Sequence, residues 1–182
     1  MAGRRSRKPR PPLDPARLDE LALAYVGRFS TTRSKLRSYL ARKVRERGWE
    51  GEREVDLEAV AERLARLGYV DDAAYALSKS RGLTARGYGL RRVNQSLRAA
   101  GVGEEEAAPA FELAQEESVE SALRFARKRR IGPFGDGSGD RSASDRALAA
   151  MVRAGHSFRL AKAIIGLPPG SDIDLEMLRE TG

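Results

Sequence analysis

Cysteine is absent from this chain and histidine occurs once, at His156. Disulfides and thiolate metal sites are thereby excluded, and an imidazole cluster has no second member to draw on. A chain without cysteine also suits a reducing compartment. No apolar run approaches the roughly 20 residues that a membrane span needs. The opening MAGRRSRKPRPP has no apolar h-region and too much proline for an amphipathic transit helix, so no export signal is read and a cytoplasmic address is expected. Aromatic residues make up 6% of 182 residues and charged residues 33%, which is thin for one large core and suits small helical units with much surface. β-Branched residues are sparse and no long alternating run occurs, so strands have little support.

What is abundant is positive charge, with a formal net charge of +8. Such a balance invites a nucleic-acid reading. Its distribution tempers that: Arg4, Arg5, Arg7, Lys8 and Arg10 stand in the first ten residues with no acid among them. At the other extreme, Glu104, Glu105, Glu106, Glu112, Glu116, Glu117 and Glu120 fall in a stretch without Lys or Arg. The body is patterned, not uniformly basic.

Almost everything after residue 13 reads as short helices, and the fold class expected is all-α. Asp14-Pro15 is a cap followed by a proline at the first helical position, and Leu18, Leu21, Ala22, Tyr25 and Val26 then form one helical stripe. Ser30-Thr31-Thr32 caps a second helix with Leu36, Leu40 and Val44, stopped at Gly48. Asp56 caps a third, with Leu57, Val60, Ala61, Leu64 and Leu67, stopped at Gly68. A period underlies the helix stops. Leu40-Val44-Gly48, Val93-Leu97-Gly101 and Ala147-Met151-Gly155 share one pattern, with the glycines 53 and 54 residues apart. Each is followed by a further helix, near Asp56, Glu104 and Ser157.

Three degenerate copies of a three-helix unit account for residues 14–70, 71–115 and 116–166. Repeats of this size bury their faces on neighbours and build elongated arrays. Residues 1–13 are expected to be a disordered basic arm, 132–144 (GPFGDGSGDRSAS) a flexible loop inside the third copy, and 167–182 a tail after Pro168-Pro169-Gly170.

Residues 68–76, GYVDDAAYA, set Asp71 beside Asp72. Paired carboxylates can hold a metal or activate a water, but that chemistry needs partners: a His, further carboxylates at ligand spacing, or a nucleophile with a base. The nearest carboxylates, Glu58 and Glu62, lie on the preceding helix. Gly68 is a helix stop and Ala73, Ala74 and Ala76 are strong helix formers, so Asp71 is expected at the N-cap and Asp72 in the first turn. No metal, cofactor or catalytic constellation is read, and the chain is not expected to be an enzyme. GPFGDGSGD lacks the Gly-Lys-Ser/Thr ending of a phosphate loop, and Asp136 and Asp140 miss the spacing of an EF-hand. His156 is expected to serve a turn, and Trp49 to plug a junction between units.

The basic residues carry the functional reading. With Leu90, Val93 and Leu97 inward, Arg91 and Arg98 share an outward face and Arg92 takes the opposite flank. Lys35, Arg42 and Arg45 turn away from Leu36 and Leu40. Arg127, Lys128, Arg129 and Arg130 end the helix expected at 118–131, where cations complement the helix dipole. Guanidinium groups on several units can equally bind phosphates or a partner's carboxylates.

LGYVDDAAYALSKS (67–80) followed by GYGLRRVNQSLRAAGV (87–102) resembles the middle repeat of the RecX family, regulators of the bacterial recombinase RecA. RFARKRRIGPF (124–134) with ALAAMVRAGHSFRLAKAII (147–165) is similar to its third repeat, and LALAYVGRFSTTRSKLRSYLARKV (21–44) to its first. The resemblance implies three tandem three-helix units in a curved, elongated molecule. It also implies lodging in the groove of a RecA–single-stranded DNA filament, damping filament growth, strand exchange and coprotease activity; separately, a monomer is expected. It assigns no short signature to contact residues, so the basic faces above remain the candidate interface. The competing reading is a direct DNA binder, bare DNA included, of helix-turn-helix-like units; Asn94 and Gln95 would serve it, but the other copies lack equivalents.

Overall fold

Side-chain caps set the helix starts where the sequence placed them. In the computed structural model, which describes residues 11–137 and 140–181, Asp14 accepts from the Arg17 amide at 2.8 Å and opens α1 (Pro15–Val26). Thr32 accepts from Lys35 at 3.1 Å and opens α2 (Arg33–Arg47); Asp56 accepts from Ala59 at 2.9 Å and opens α3 (Leu57–Arg66). Each bond satisfies an amide that the first helical turn leaves without a partner. The chain continues as α4 (Asp72–Thr84), α5 (Leu90–Ala99), α6 (Glu104–Glu116), α7 (Ser118–Arg129), a 3₁₀ turn (Gly132–Phe134), α8 (Arg141–Arg153), α9 (Phe158–Gly166) and α10 (Leu175–Thr181). The fold is all-α. Among the described residues the sole departure is one isolated parallel bridge, Leu13 to Trp49.

Gly48, Gly101 and Gly155 all take positive φ, at 85°, 67° and 99°. The helix stops that repeat in sequence thus share a positive φ, which favours glycine.

The chain divides into two compact units, one ending at Asp71 and the other beginning at Asp72. The first holds α1–α3 around Leu13, Leu18, Ala22, Leu36, Leu40, Ala61, Leu64 and Val70. The second holds two cores. One gathers Ala76, Leu83, Val93, Leu97, Ala107, Ala110 and Ala114 from α4–α6. The other gathers Val119, Ala122, Ala126, Met151, Leu160 and Ile164 from α7–α9, and adds Leu178 of α10.

Small residues let α4 and α6 approach closely: Ala76 and Ser80 face Ala107, Ala110 and Ala114, and the Ser80 hydroxyl donates to the Ala110 carbonyl at 2.8 Å. The chain's shortage of large apolar side chains is met there by backbone proximity.

Three boundaries differ from those read in the sequence. Residues 1–10 of the expected arm lie outside the described residues, but Pro11–Leu13 belong to the fold. Leu13 is wholly buried, its amide and carbonyl bond to the Gly48 carbonyl and the Glu50 amide at 2.9 and 2.8 Å, and Arg47 donates to the Pro11 carbonyl. The loop expected at 132–144 is shorter. Pro133 is buried in the 3₁₀ turn, and Asp140 caps α8 by accepting from Ala143 at 2.7 Å; Ser138 and Gly139 between them lie outside the described residues. The tail at 167–182 contains α10, which docks on the third core through fully buried Leu178 and an Arg179–Glu120 ion pair of 2.6 Å.

Candidate partner and nucleic-acid interface

The paired aspartates stand at the start of α4, Asp71 exposed in the position before the first helical residue and Asp72 buried at 6% exposure inside the first turn. Among the described residues no group of three His, Cys, Asp or Glu side chains could hold a metal ion. None of the described helices is long and apolar enough to cross a membrane.

The predicted cations differ in their surroundings. On α5, Val93 and Leu97 are buried, while Arg91, Arg92 and Arg98 are exposed. Arg92 donates to the Gln95 side-chain oxygen at 2.7 Å and lies 5.9 Å from the centre of the Tyr88 ring. Arg91 and Arg98 make no ion pair among the described residues. On α2, Lys35 is half-buried and Arg45 exposed. Arg42 pairs with Glu46 at 2.9 Å and lies 5.5 Å from the Tyr39 ring centre. Hydrogen bonds from Lys43 and then Arg42 hold the Glu46 carboxyl below its ordinary range.

At the end of α7, Arg127 lies over Phe134 at 4.9 Å and Arg129 over Phe125 at 5.7 Å, with Lys128 exposed. Arg130 is no longer helical: it takes φ 55°, the left-handed exit, and the chain turns inward at Ile131. The helix expected over 118–131 therefore ends at Arg129. Its carbonyl end carries cations, which the dipole favours.

His156 is buried at 2% exposure in the turn between α8 and α9. Its Nε2 is 3.0 Å from the Gly87 carbonyl, so that nitrogen carries the proton and donates, and the ring tilts against Phe125 at 5.8 Å. Burial pushes its pKa below the usual value, against the opposing effect of the Gly87 hydrogen bond. The same turn joins α5 backbone to backbone: the Gly89 amide donates to Ala154 at 3.0 Å and the Arg91 amide to Gly155 at 3.2 Å. His156 serves a turn as expected, and also fastens that turn to the one before α5.

Comparison with known proteins decides the family. No family model matches the chain. Regulatory protein RecX of Myxococcus xanthus (strain DK1622) is 38% identical over 176 residues, covering 91% of this chain and 94% of its own. The chain belongs to the RecX family. The regulatory protein RecX of Agrobacterium fabrum (strain C58) is 29% identical over 140 residues, covering 75% of this chain and 74% of its own. Among solved structures, RecX from Lactobacillus salivarius superposes with a TM-score of 0.65 at 20% identity, covering 82% of this chain and 93% of that one. A second RecX crystal structure gives 0.58 at 21%, covering 82% and 70%. These likenesses extend the RecX fold to this all-helical chain.

One feature of this member of the RecX family is not announced by its sequence pattern. Tyr25 of α1 stacks on Tyr39 of α2 with ring centres 4.1 Å apart and planes 15° apart, and Phe29 tilts against Tyr25 at 5.3 Å. A groove of about 810 Å³ opens over these rings. The only local signal was the i, i+4 spacing of Tyr25 and Phe29; Tyr39 comes from another helix. Trp49 is the opposite case. It packs on the core of its own unit, with its indole N–H donating to the Arg53 carbonyl at 2.7 Å, where its sequence position pointed to a junction.

Proposed function

We propose that this chain is a modulator, mainly negative, of the RecA recombinase. It acts as a monomer seated in the groove of the RecA–single-stranded DNA filament, where it limits filament extension, strand exchange and coprotease activity. The observation that carries the reading is the 38% identity to a regulatory protein RecX along nearly the whole of both chains. The three-helix groups supply the tandem units that such a groove would hold. Arg91 and Arg98 supply uncommitted guanidinium groups, whose planar fork suits a carboxylate on the recombinase or a phosphate on the strand. Lys35, Arg42, Arg45, Arg92 and the Arg127–Arg130 run extend the basic surface. A sequence-reading DNA binder has weaker support, since the amides that would read bases, Asn94 and Gln95, stand on α5 alone and have no equivalents in the other two copies.

The test is RecA's ATP hydrolysis on single-stranded DNA, with this protein added below one copy per recombinase. The expected outcome is suppression, and an unchanged rate at stoichiometric amounts refutes the reading. Replacing Arg91 and Arg98 together by Ala is expected to weaken filament binding at least about tenfold, at about 1.5 kcal/mol for one charge-assisted hydrogen bond, with helicity retained.

A further inference from the structure

The groove between α1 and α2 is lined by Tyr25, Phe29 and Tyr39 together with Arg28, Lys35 and Arg42, and no carboxylate lines it among the described residues. Phe29 is 53% exposed although one side of its ring tilts against Tyr25, so its other side is open. The Arg28 guanidinium lies 5.9 Å from its centre, and Arg42 stands beside Tyr39. The Arg42–Glu46 pair is exposed on both sides, so it contributes little and can be exchanged for another anion.

We propose that this groove is a stacking site for unpaired bases of single-stranded nucleic acid, with Phe29 as the open platform and Arg28, Lys35 and Arg42 on the flanking phosphates. Aromatic rings beside cations are the arrangement by which proteins hold a single strand without reading its sequence: each base offers a π-face and each phosphate a charge. Charge complementarity selects this occupant. A second copy docking by this same face would bring the same cations together. An acidic peptide would satisfy the arginines but set carboxylates against ring faces, whose quadrupole is negative. The site deepens the filament reading and rests on its nucleic-acid part, since it names which part of the strand this protein would touch and where.

The experiment uses the full chain without recombinase, so its outcome is separate from ATPase suppression. Fluorescence anisotropy compares an oligothymidylate with an oligonucleotide of the same length and charge in which the bases are replaced by abasic sites. The wild type is expected to favour the base-bearing strand by roughly 5- to 150-fold, the range for one stacked base. Phe29→Ala should bring that preference close to one and leave abasic binding unchanged, while Phe29→Tyr should restore it. The ring is exposed, so both variants are expected to fold, which circular dichroism checks. Equal wild-type affinity for the two strands overturns the proposal, as does a Phe29→Ala protein that keeps the preference. Loss of filament binding in Phe29→Ala without any base preference would assign the groove to a protein surface instead, and the proposal falls with it.

Discussion

Replacing Gly155 by Ala tests the junction between the α4–α5 and α8–α9 turns. Gly155 has φ 99°, and a Cβ built there would lie 2.5 Å from the Arg92 amide nitrogen and 2.9 Å from the Gly89 carbonyl oxygen. Both neighbours are backbone, so neither can rotate away. The left-handed conformation alone costs an L-residue about 1–2 kcal/mol. Forcing a methyl between packed backbones costs about 1–3 kcal/mol more, the usual range for overpacking, and strains the Gly89–Ala154 and Arg91–Gly155 hydrogen bonds. A loss of about 2–5 kcal/mol is expected in sum. Gly170→Ala is the control: Gly170 has φ 72° in the same unit with nothing within 4 Å of its Cβ position, so only the conformational cost applies. Urea unfolding followed by circular dichroism reads both variants, with midpoints compared at equal m-value. Equal losses in the two would show that the close approach carries no energy, and the account of this junction would be wrong.

Two further outcomes are expected. His156 is neutral when buried, so its folded pKa lies below the 6.5 of the free imidazole and the unfolded chain binds the proton first. The sign follows: stability is greatest above pH 6.5 and declines as pH falls from there toward the folded pKa. His156→Gln, which keeps a donor for the Gly87 carbonyl, should flatten the melting temperature over that window, and an unaltered slope would refute the assignment. Leu178→Ala should cost about 2–5 kcal/mol because the side chain is wholly buried. Met177→Ala, on the same helix but 40% exposed, should cost under about 0.5 kcal/mol; comparable losses would mean that α10 is not held by its buried leucine.

The local chemistry of this fold was legible in the sequence. Asp14, Thr32, Asp56 and Ser157 announce helix starts because a cap bonds an amide three residues away. Gly48, Gly101 and Gly155 announce stops because each takes a positive φ, which favours glycine. What escaped is non-local. Leu13 reads as part of a proline-rich arm until Trp49, far along the chain, pairs with it. The seven-residue α10 follows Pro168-Pro169-Gly170 and is too short to show a period, so its helicity comes from docking. The candidate interface divides the same way: helix periodicity correctly turns Arg91 and Arg98 outward, but it could not foresee that Tyr39 would meet Tyr25 and Phe29.

The alanine seam between α4 and α6 has a thermal consequence. Each alanine methyl exposes little apolar surface when the seam opens, so opening adds little to the heat capacity, and the seam's free energy changes slowly with temperature. Its cohesion is mainly dispersion between backbones held close. The α1–α3 core depends on Leu18, Leu36, Leu40 and Leu64, whose burial is a hydrophobic term that weakens on cooling. Cooling is therefore expected to weaken the leucine contribution of the α1–α3 core more than the contribution of the alanine seam.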